Sequence, residues 1–430
     1  MKKMSSRKNR FLAATALGFF GAAALSPQAH ASGFGLREGS ADWLGNAFVG
    51  GSAKAYDAGT AYSNPAGMAL LDQSQFSGNV SFIAPSAKFN GTGSYVGAGR
   101  TGNIVSPAAS GALFGVFVLN PDWRLGVSVT NPYGERTSYD KNWVGRYNSL
   151  VSSITGIDFS VALSYKVNNH LSVGGGPVVE YFHARLTQAT PENPYTTPIT
   201  PSSLADVHGS DVALGYNLGA LYQFDADTRV GLDYRSRIRH NIHGSEVISG
   251  ELGQIENPST GEISSDARTT ATVPDSVNAS IYQQVTPDLA LMGTVEWTHW
   301  ALFNALHVTP EDAGFPGVTI NENWRNTWFA GIGANYQATD RLMLQTGFSF
   351  DESPVTASNR TSRVPDANHY NLGFGVKYKL FPSTTLNVAY LHVFTPGGTI
   401  NNTNGLTGST LDGDYSASDN SVTAGIDYVF

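Results

Sequence analysis

Residues 370–380, YNLGFGVKYKL, decide the fold class because apolar and polar side chains alternate along them without interruption. One parity holds the apolar residues Tyr370, Leu372, Phe374, Val376, Tyr378 and Leu380, and the other holds Asn371, Gly373, Gly375, Lys377 and Lys379. A period of two predicts a strand with one apolar and one polar face. The same alternation runs through residues 157–166, 214–224 and 341–351.

The composition indicates that these strands face lipid. Charged residues make up only 14% of the chain, against roughly 25% in soluble domains. After the first thirty residues the longest apolar run is ALFGVFVL, 112–119, which is too short for a membrane helix. The spanning structure that remains is a closed β-barrel, in which strands satisfy each other's backbone groups.

The connections between strands predict their number. Six short turns lie at 120–123, 167–170, 224–228, 285–288, 337–340 and 381–384, and seven long polar connections lie between them. This pattern indicates an all-β fold, a 14-stranded antiparallel transmembrane β-barrel over 74–430, whose first strand begins near Gln75. A secreted β-sandwich or propeller, the alternative, seldom sorts its loops by length in this way.

The amino end has the features of a secretory signal peptide. Basic residues precede the apolar stretch Phe11–Leu25, and Ala29-His30-Ala31 forms a small-x-small cleavage site. We expect residues 1–31 to be removed, which leaves 430 − 31 = 399 residues. Together with the predicted barrel, this leader indicates that the protein lies in the outer membrane of a Gram-negative bacterium. We expect the short turns in the periplasm and the long loops outside the cell.

Charge and motifs exclude several function classes. The leader carries five of the 26 basic residues, so the mature charge is about 21 − 34 = −13, which disfavours nucleic acid as a partner. GAGRTG at 97–102 lacks the strand-then-helix context of a nucleotide site. We expect no cofactor and no metal, and the chain has no cysteine.

Residues 32–73 are not needed to close the barrel, and they share motifs with a known family. The motifs are SGFGL (32–36), DAGTAYSNPAGMALL (57–71), NPYGERTSYDKNWVGRYN (131–148), DYRSRI (233–238), FDESPV (350–355), RVPD (363–366) and the terminal Phe430. In these motifs the chain resembles the long-chain fatty acid transporter (FadL/TodX-like) family of outer membranes. The resemblance implies that 32–73 fold inside the barrel as a hatch. It also implies uptake of long hydrophobic molecules, with exit sideways into the membrane at a kinked third strand.

The hatch is expected to turn at Asn64-Pro65-Ala66, because Asn-Pro restricts residue 64 to extended geometry and Pro65 has a fixed φ. An ordinary loop turn is the alternative. The resemblance makes Phe34 and Leu36 candidates to line or block a hydrophobic pocket, whereas a frayed terminus is the plain alternative.

Three arginines are candidates to bind a carboxylate. Arg235, Arg237 and Arg239 share one parity and would point into the lumen if their strand is regular. Ion pairing with acidic residues such as Asp42 and Asp57 is the alternative.

Two further stretches are candidates for ligand contact. His183 and Arg185 align with a basic stretch that the family uses near its pocket. Strict alternation would put both on the lipid face unless a bulge at 174–177 resets the parity. Glu322 and Arg325 lie near the place of a family lysine, where this chain has Ile320.

Either Gly126, within the third strand of the wall, or Pro132, at its end, could interrupt ladder bonding locally, and the lateral exit is assigned to Gly126. Both are ordinary strand residues on the alternative interpretation. Phe430, the last residue of an amphipathic strand, is interpreted as an assembly signal by analogy with other barrels.

The function predicted is passive, ligand-gated transport of long-chain fatty acids or similar hydrophobic compounds, without enzyme activity. Uptake of aromatic or aliphatic hydrocarbons is the alternative, and an outer-membrane hydrolase or an adhesin are rivals from other classes. The expected partners are the hydrophobic molecule, outer-membrane lipid and the barrel assembly machinery, and we expect a monomer.

Overall fold

The structure is a computed structural model that describes residues 33–190, 203–312, 315, 317–405 and 407–430. The predicted signal peptide and Ser32 lie outside the described residues.

Long antiparallel strands dominate the chain after residue 74. The strands are β1 (Gln75–Gly93), β2 (Gly97–Arg100), β3 (Ala108–Val118), β4 (Trp123–Ser138), β5 (Val151–Lys166), β6 (Leu171–Thr190), β7 (Ser203–Gln223), β8 (Thr228–Arg235), β9 (Ile238–Gly250), β10 (Glu262–Val273), β11 (Ser276–Thr286), β12 (Leu289–Thr298), β13 (Ala305–Pro310), β14 (Val318–Asn321), β15 (Thr327–Thr339), β16 (Leu342–Asp351), β17 (His369–Phe381), β18 (Thr384–Thr403) and β19 (Thr410–Val429).

Within the described residues, fourteen wall strands close into a barrel, as the sequence predicts. Two wall strands consist of two segments each, β8 with β9 and β10 with β11, which pair along one continuous register. The ring closes where β1 pairs with β19, from Gln75 opposite Val429 to Gly93 opposite Leu411. The short strands β2, β13 and β14 belong to the long loops.

Side chains alternate across the wall as the pattern of residues 370–380 predicts. In β17, Asn371 and Lys377 are buried, whereas Phe374 and Val376 are exposed on the outer face. The aromatic residues beside the short turns are also exposed: Trp123, Tyr165, Phe224, Tyr336, Tyr378 and Phe381. They form the aromatic belt that a barrel places at the membrane interface.

Residues 33–73, which we call the hatch, form short helices instead of strands. The helical segments of the chain are α1 (Ala41–Gly45), α2 (Gly51–Lys54), α3 (Thr60–Ser63), the 3₁₀ helix Pro65–Leu70, α4 (Glu251–Glu256) and the 3₁₀ helix Trp300–Leu302. In the described part of the chain, no helix has the length and apolar character that would take it across a membrane.

The hatch contacts inward-facing residues on opposite parts of the wall. The Asn46 amide donates to the carbonyls of Ala334 in β15 and Thr346 in β16. Across the ring, the Asn64 amide donates to the Ala220 carbonyl of β7 at 3.1 Å. Polar groups of the hatch therefore find their partners on the polar inner face of the strands, as buried polar groups must.

Candidate ligand-binding site

Phe34 fills a cage of aromatic rings near the loop end of the barrel. Its side chain is fully buried. Five ring centroids lie 4.8–6.4 Å from its own, those of Tyr133, Phe182, Trp300, Phe303 and Trp324. Most are arranged edge to face, the geometry that aromatic pairs prefer. The burial of Phe34 in this cage agrees with the expectation that Phe34 lines or blocks a hydrophobic pocket. Its role toward a ligand stays a prediction.

An apolar cavity of about 50 Å³ continues from this cage. Its lining residues are mostly aliphatic or aromatic and include Ile154, Phe182, Leu186, Ile242, Phe303 and Leu306. Phe182 and Phe303 belong to both the cage and the cavity, so the ring of Phe34 and the empty space are parts of one apolar site.

The backbone beside Phe34 is attached to the wall at an irregularity in β4. The register between β4 and β5 shifts between Thr130 and Tyr133. At that bulge Leu36 N donates to Pro132 O at 2.8 Å, and Gly134 N donates to Phe34 O at 2.9 Å. The amino end of the hatch is thus hydrogen-bonded to the irregular part of the third wall strand.

The same bulge marks a gap between β3 and β4. Pairing of β4 with β3 ends at Val129 opposite Leu113, while β4 continues beside β5 to Ser138. Gly126 lies below the gap and pairs regularly on both sides. The assignment of the interruption to Gly126 is therefore wrong, and Asn131-Pro132 carries it, because a bulge and a proline both disturb ladder bonding. A side chain at Gly126 would meet Met68 Sδ at 2.4 Å, so this glycine makes room for the hatch.

A second, polar cavity of about 190 Å³ lies between the hatch and the wall. Leu36, Arg37 and Arg235 line it. Arg37 donates to Glu296 at 2.8 Å and to Asp351 at 3.0 Å. Arg235 points inward as predicted and pairs with Asp158 at 3.0 Å. Both guanidinium groups are therefore already neutralised by carboxylates of the wall.

Arg237 and Arg239 do not point into the lumen. The strand breaks between Arg235 and Ile238, and the parity changes there, so that both arginines lie on the exposed outer face. Arg237 pairs with Asp275 at 3.2 Å. The prediction that all three arginines point into the lumen required a regular strand, and this strand is not regular. Of the three, only Arg235 points inward. The predicted acidic partners also differ, because Asp42 and Asp57 both contact Lys377, each at 3.1 Å.

His183 and Arg185 also lie on the outer side of the wall. The register between β6 and β7 is continuous through Gly174–Pro177, so no bulge resets the parity. Arg185 is half-exposed and forms an ion pair with Asp206 at 2.6 Å. Strict alternation therefore describes this strand, and neither residue faces the cage.

Glu322 and Arg325 separate in the structure. Glu322 is buried and accepts a hydrogen bond from Trp324 Nε1 at 3.2 Å, so it orients a ring of the cage. Burial raises its pKa to about 7, although the nearby Arg363 opposes the shift. Arg325 is half-exposed and pairs with Glu352 at 3.0 Å.

The Asn64-Pro65-Ala66 turn is held by three wall strands, β5, β6 and, through the bond from the Asn64 amide to Ala220 O, β7. Asn64 Oδ1 accepts from Ala66 N at 3.0 Å, and its amide donates to Ser52 O at 2.7 Å. Ala66 O accepts from Ser172 of β6 at 2.9 Å and from Ser164 of β5 at 3.3 Å. The turn is therefore an anchor of the hatch as well as a change of chain direction.

Phe430 lies on the outer face, where its side chain is exposed. Its backbone N donates to Ser74 O at 2.9 Å, which ties the carboxyl end to the start of β1. The role of Phe430 as an assembly signal stays a prediction.

Sequence reasoning missed the aromatic residues that surround Phe34. Trp300 and Phe303 lie in THWALFN (298–304), and Trp324 lies in NENWRN (321–326). The available signal was the placement of tryptophan inside long polar loops, where large apolar side chains need a buried partner.

Comparison with known proteins extends these observations to the whole chain. The family model described as "Outer membrane protein transport protein (OMPP1/FadL/TodX)" matches residues 22–430. The long-chain fatty acid transport protein of Salmonella typhi is 27% identical over 390 residues, which cover 86% of this chain and 89% of that protein.

Two solved structures share the fold. A Pseudomonas aeruginosa FadL homologue gives a TM-score of 0.85 at 23% identity, over 92% of this chain and 99% of its own. The Ralstonia pickettii toluene transporter TbuX gives 0.68 at 16% identity, over 91% and 99%. The chain belongs to the outer membrane protein transport protein (OMPP1/FadL/TodX) family.

Proposed function

We propose that the protein takes up long hydrophobic molecules of the fatty-acid class across the outer membrane, by passive diffusion that ligand binding opens. The observation that carries this proposal is the burial of Phe34 in the aromatic cage. Relatives described as long-chain fatty acid transport proteins support the ligand class.

The proposed sequence of events follows from the contacts of the hatch. A ligand entering the apolar cavity competes with Phe34 for the rings of Trp300, Phe303 and Trp324. Withdrawal of Phe34 breaks its backbone bond to Gly134 and frees the bulge of β4. The ligand then leaves through the gap between β3 and β4 into the membrane. A barrel blocked by its hatch would not act as a general aqueous pore.

A second candidate ligand class is neutral aromatic or aliphatic hydrocarbon. Arg37 and Arg235 are both ion-paired with carboxylates, so neither offers a lone positive charge for a fatty-acid headgroup. Relatives of known structure include the toluene transporter named above, which supports the fold only.

Uptake by a Gram-negative host that lacks its own transporter tests the proposal. Radiolabelled oleate, oleyl alcohol and toluene are supplied to cells with and without the protein. Greater uptake of oleate than of toluene supports the fatty-acid class, and equal uptake of oleate and its alcohol excludes recognition of the carboxylate. No uptake of any of the three above the empty host contradicts transport.

Phe34→Ala sharpens the same experiment. Removal of the ring leaves a cavity inside the cage, which costs about 3–5 kcal/mol of local stability and removes the competitor of the ligand. We expect tighter ligand binding, with Phe348→Ala on the lipid-exposed face as the control. Unchanged binding by Phe34→Ala would show that Phe34 is only a structural filler.

The remaining proposals concern partners and chemistry. We propose that the protein is not an enzyme, and hydrolysis of a phospholipid by the purified barrel would contradict this. The barrel assembly machinery, outer-membrane lipid and a monomeric state stay predictions. The division into 1–31, 32–73 and 74–430 is likewise proposed, with the hatch as the middle part.

A further inference from the structure

The wall has a second interruption, far along the chain from the gap between β3 and β4. β7 pairs with β9 up to Ser210 opposite His243, and with β8 from Asn217 opposite Arg235. Both segments are described in full, and between these limits no ladder pair joins residues 211–216 to residues 236–242. We call these two facing stretches the seam.

One backbone bond crosses the seam, from Ser236 N to Tyr216 O at 2.9 Å, and side chains supply the other polar contacts. Asp211 accepts from Asn241 N at 3.1 Å and contacts His240 Nδ1 at 3.2 Å. At the other end, Ser236 Oγ accepts from Tyr216 N at 2.9 Å. Side-chain bonds of this kind can be exchanged without unzipping a strand, whereas a ladder opens only by breaking successive backbone pairs.

Ile238 occupies the middle of the seam. A Cβ added at Gly215 would lie 2.6 Å from Ile238 Cγ1, so the glycine leaves the space that the isoleucine fills. One aliphatic side chain, rather than a continuous ladder, therefore separates the two sides of the wall at this point.

Apolar side chains lie on both sides of the seam, although Arg237, Arg239 and Asn241 are also exposed on the outer side. On the inner side, Ile238 and Ile242 belong to the same buried cluster as Phe34 and Phe182. On the outer side, Val212 and Leu214 are 61% and 73% exposed, as expected of side chains that face lipid. The seam is thus a short, weakly closed path between the ligand site and the membrane.

We propose that the seam is a second lateral port, through which long hydrophobic molecules pass between the aromatic cage and the lipid. This proposal rests on the proposed transport function and adds a route to it. The occupant is an apolar chain that displaces Ile238, while Asp211 and Ser236 release and remake their bonds.

Reversible cross-linking tests the port. The chain has no cysteine, so a pair can be introduced without competing thiols. Val212→Cys with Asn241→Cys places two exposed thiols across the seam and leaves Asp211, Ser236 and Ile238 intact. A short bis-methanethiosulfonate linker closes the pair, and a reductant opens it again.

Two matched pairs complete the experiment. Ile332→Cys with Phe348→Cys spans the regular β15–β16 ladder, where these exposed residues are direct partners. Ser110→Cys with Asn131→Cys spans the gap between β3 and β4, where the two side-chain oxygens lie 3.4 Å apart. Each cross-linked barrel is checked for its folded mobility on a gel before uptake of oleate and toluene is measured.

We expect cross-linking of the seam to lower uptake several-fold, with recovery on reduction, and cross-linking of the ladder pair to have no effect. Uptake that is unchanged by closing the seam but abolished by closing the β3–β4 pair overturns the second port and leaves the transport function standing. Failure of every reduced variant to exceed the empty host would count against the transport function itself.

A substitution inside the seam gives an independent measurement. Ile238→Ala shortens the side chain that fills the path, so we expect faster uptake than in Ile238→Val. A purely structural role of Ile238 would instead lower uptake in Ile238→Ala, in parallel with its thermal stability.

Discussion

Glu322 is a buried carboxyl that orients one ring of the aromatic cage. It accepts the indole hydrogen bond of Trp324, whose ring lies 5.4 Å from that of Phe34. Its pKa is raised from 4.5 to about 7, because burial disfavours the charged form. The protonation state of Glu322 therefore changes as the pH passes through about 7.

This raised pKa predicts a pH dependence of stability. The folded loop binds a proton that the unfolded carboxyl has released, so its contribution is complete below pH 4.5 and is lost as pH rises through about 7. We therefore expect the thermal unfolding midpoint of the purified barrel to decrease as the pH is raised from 5 to 8.

Glu322→Gln provides the test of this dependence. Glutamine still accepts the indole hydrogen bond but carries no charge, so we expect the fall between pH 5 and pH 8 to become shallower. Arg325→Gln, at the exposed site nearby, is the control. A pH profile that is identical in the wild type and in Glu322→Gln would contradict the assignment.

At the scale of elements, the hatch and the wall fit through glycines that face inward. A Cβ at Gly219 of β7 would lie 2.0 Å from Asn64 Oδ1, and one at Gly174 of β6 would lie 2.6 Å from the Pro65 carbonyl carbon. Strand glycines of this kind mark a close approach of another backbone. The Asn64-Pro65-Ala66 turn and these glycines therefore form one docking site.

Gly219→Ala is predicted to loosen this docking site. The added methyl group overlaps the Asn64 amide, and such overpacking typically costs about 1–3 kcal/mol. In planar bilayers we expect a larger and noisier conductance than in the wild type. Gly293→Ala, where the added carbon meets nothing closer than 3.4 Å, is the control. Equal conductance in both variants would show that docking of the Asn64-Pro65-Ala66 turn is not needed to close the lumen.

A buried ion network joins the hatch to the wall at a second place. Lys377 of β17 contacts Asp42 and Asp57, and Lys54 contacts Asp42 at 2.6 Å. Burial alone would raise the pKa of Asp42, but Lys377 and Lys54 together hold it below its usual range. Since buried charges need partners, this network ties the hatch to β17.

At the scale of the whole molecule, the protein is an outer-membrane barrel with a segment of non-strand structure packed against its inner face. We predict that deletion of residues 33–73 leaves a folded barrel, because the ring closes through β1 and β19 without them. The deletion is expected to give a large, nonspecific conductance and to lose selectivity for hydrophobic ligands. A folded deletion variant with the conductance of the wild type would contradict a plugging role.

The barrel itself was predictable from short-range patterns. Alternation in β17 and the six short turns depend on neighbours within one hairpin, and the closed fourteen-stranded wall confirms them. The orientation of Arg237 was not predictable in this way, because a break at Ser236 changes the parity of every later residue. Register over a long strand is decided by both neighbours, and one irregularity moves a side chain to the other face.

The sequence by itself determined the class of protein and the number of wall strands, since these follow from local periodicity and from turn residues. Only the tertiary structure decided which side chains meet. Phe34, Phe182 and the pair Trp300 and Trp324 come from three distant parts of the chain and form one cage. The physical reason is that an apolar site inside a polar-lined barrel is assembled from the hatch, a strand and the loop between β12 and β15, whose proximity depends on how the ring closes.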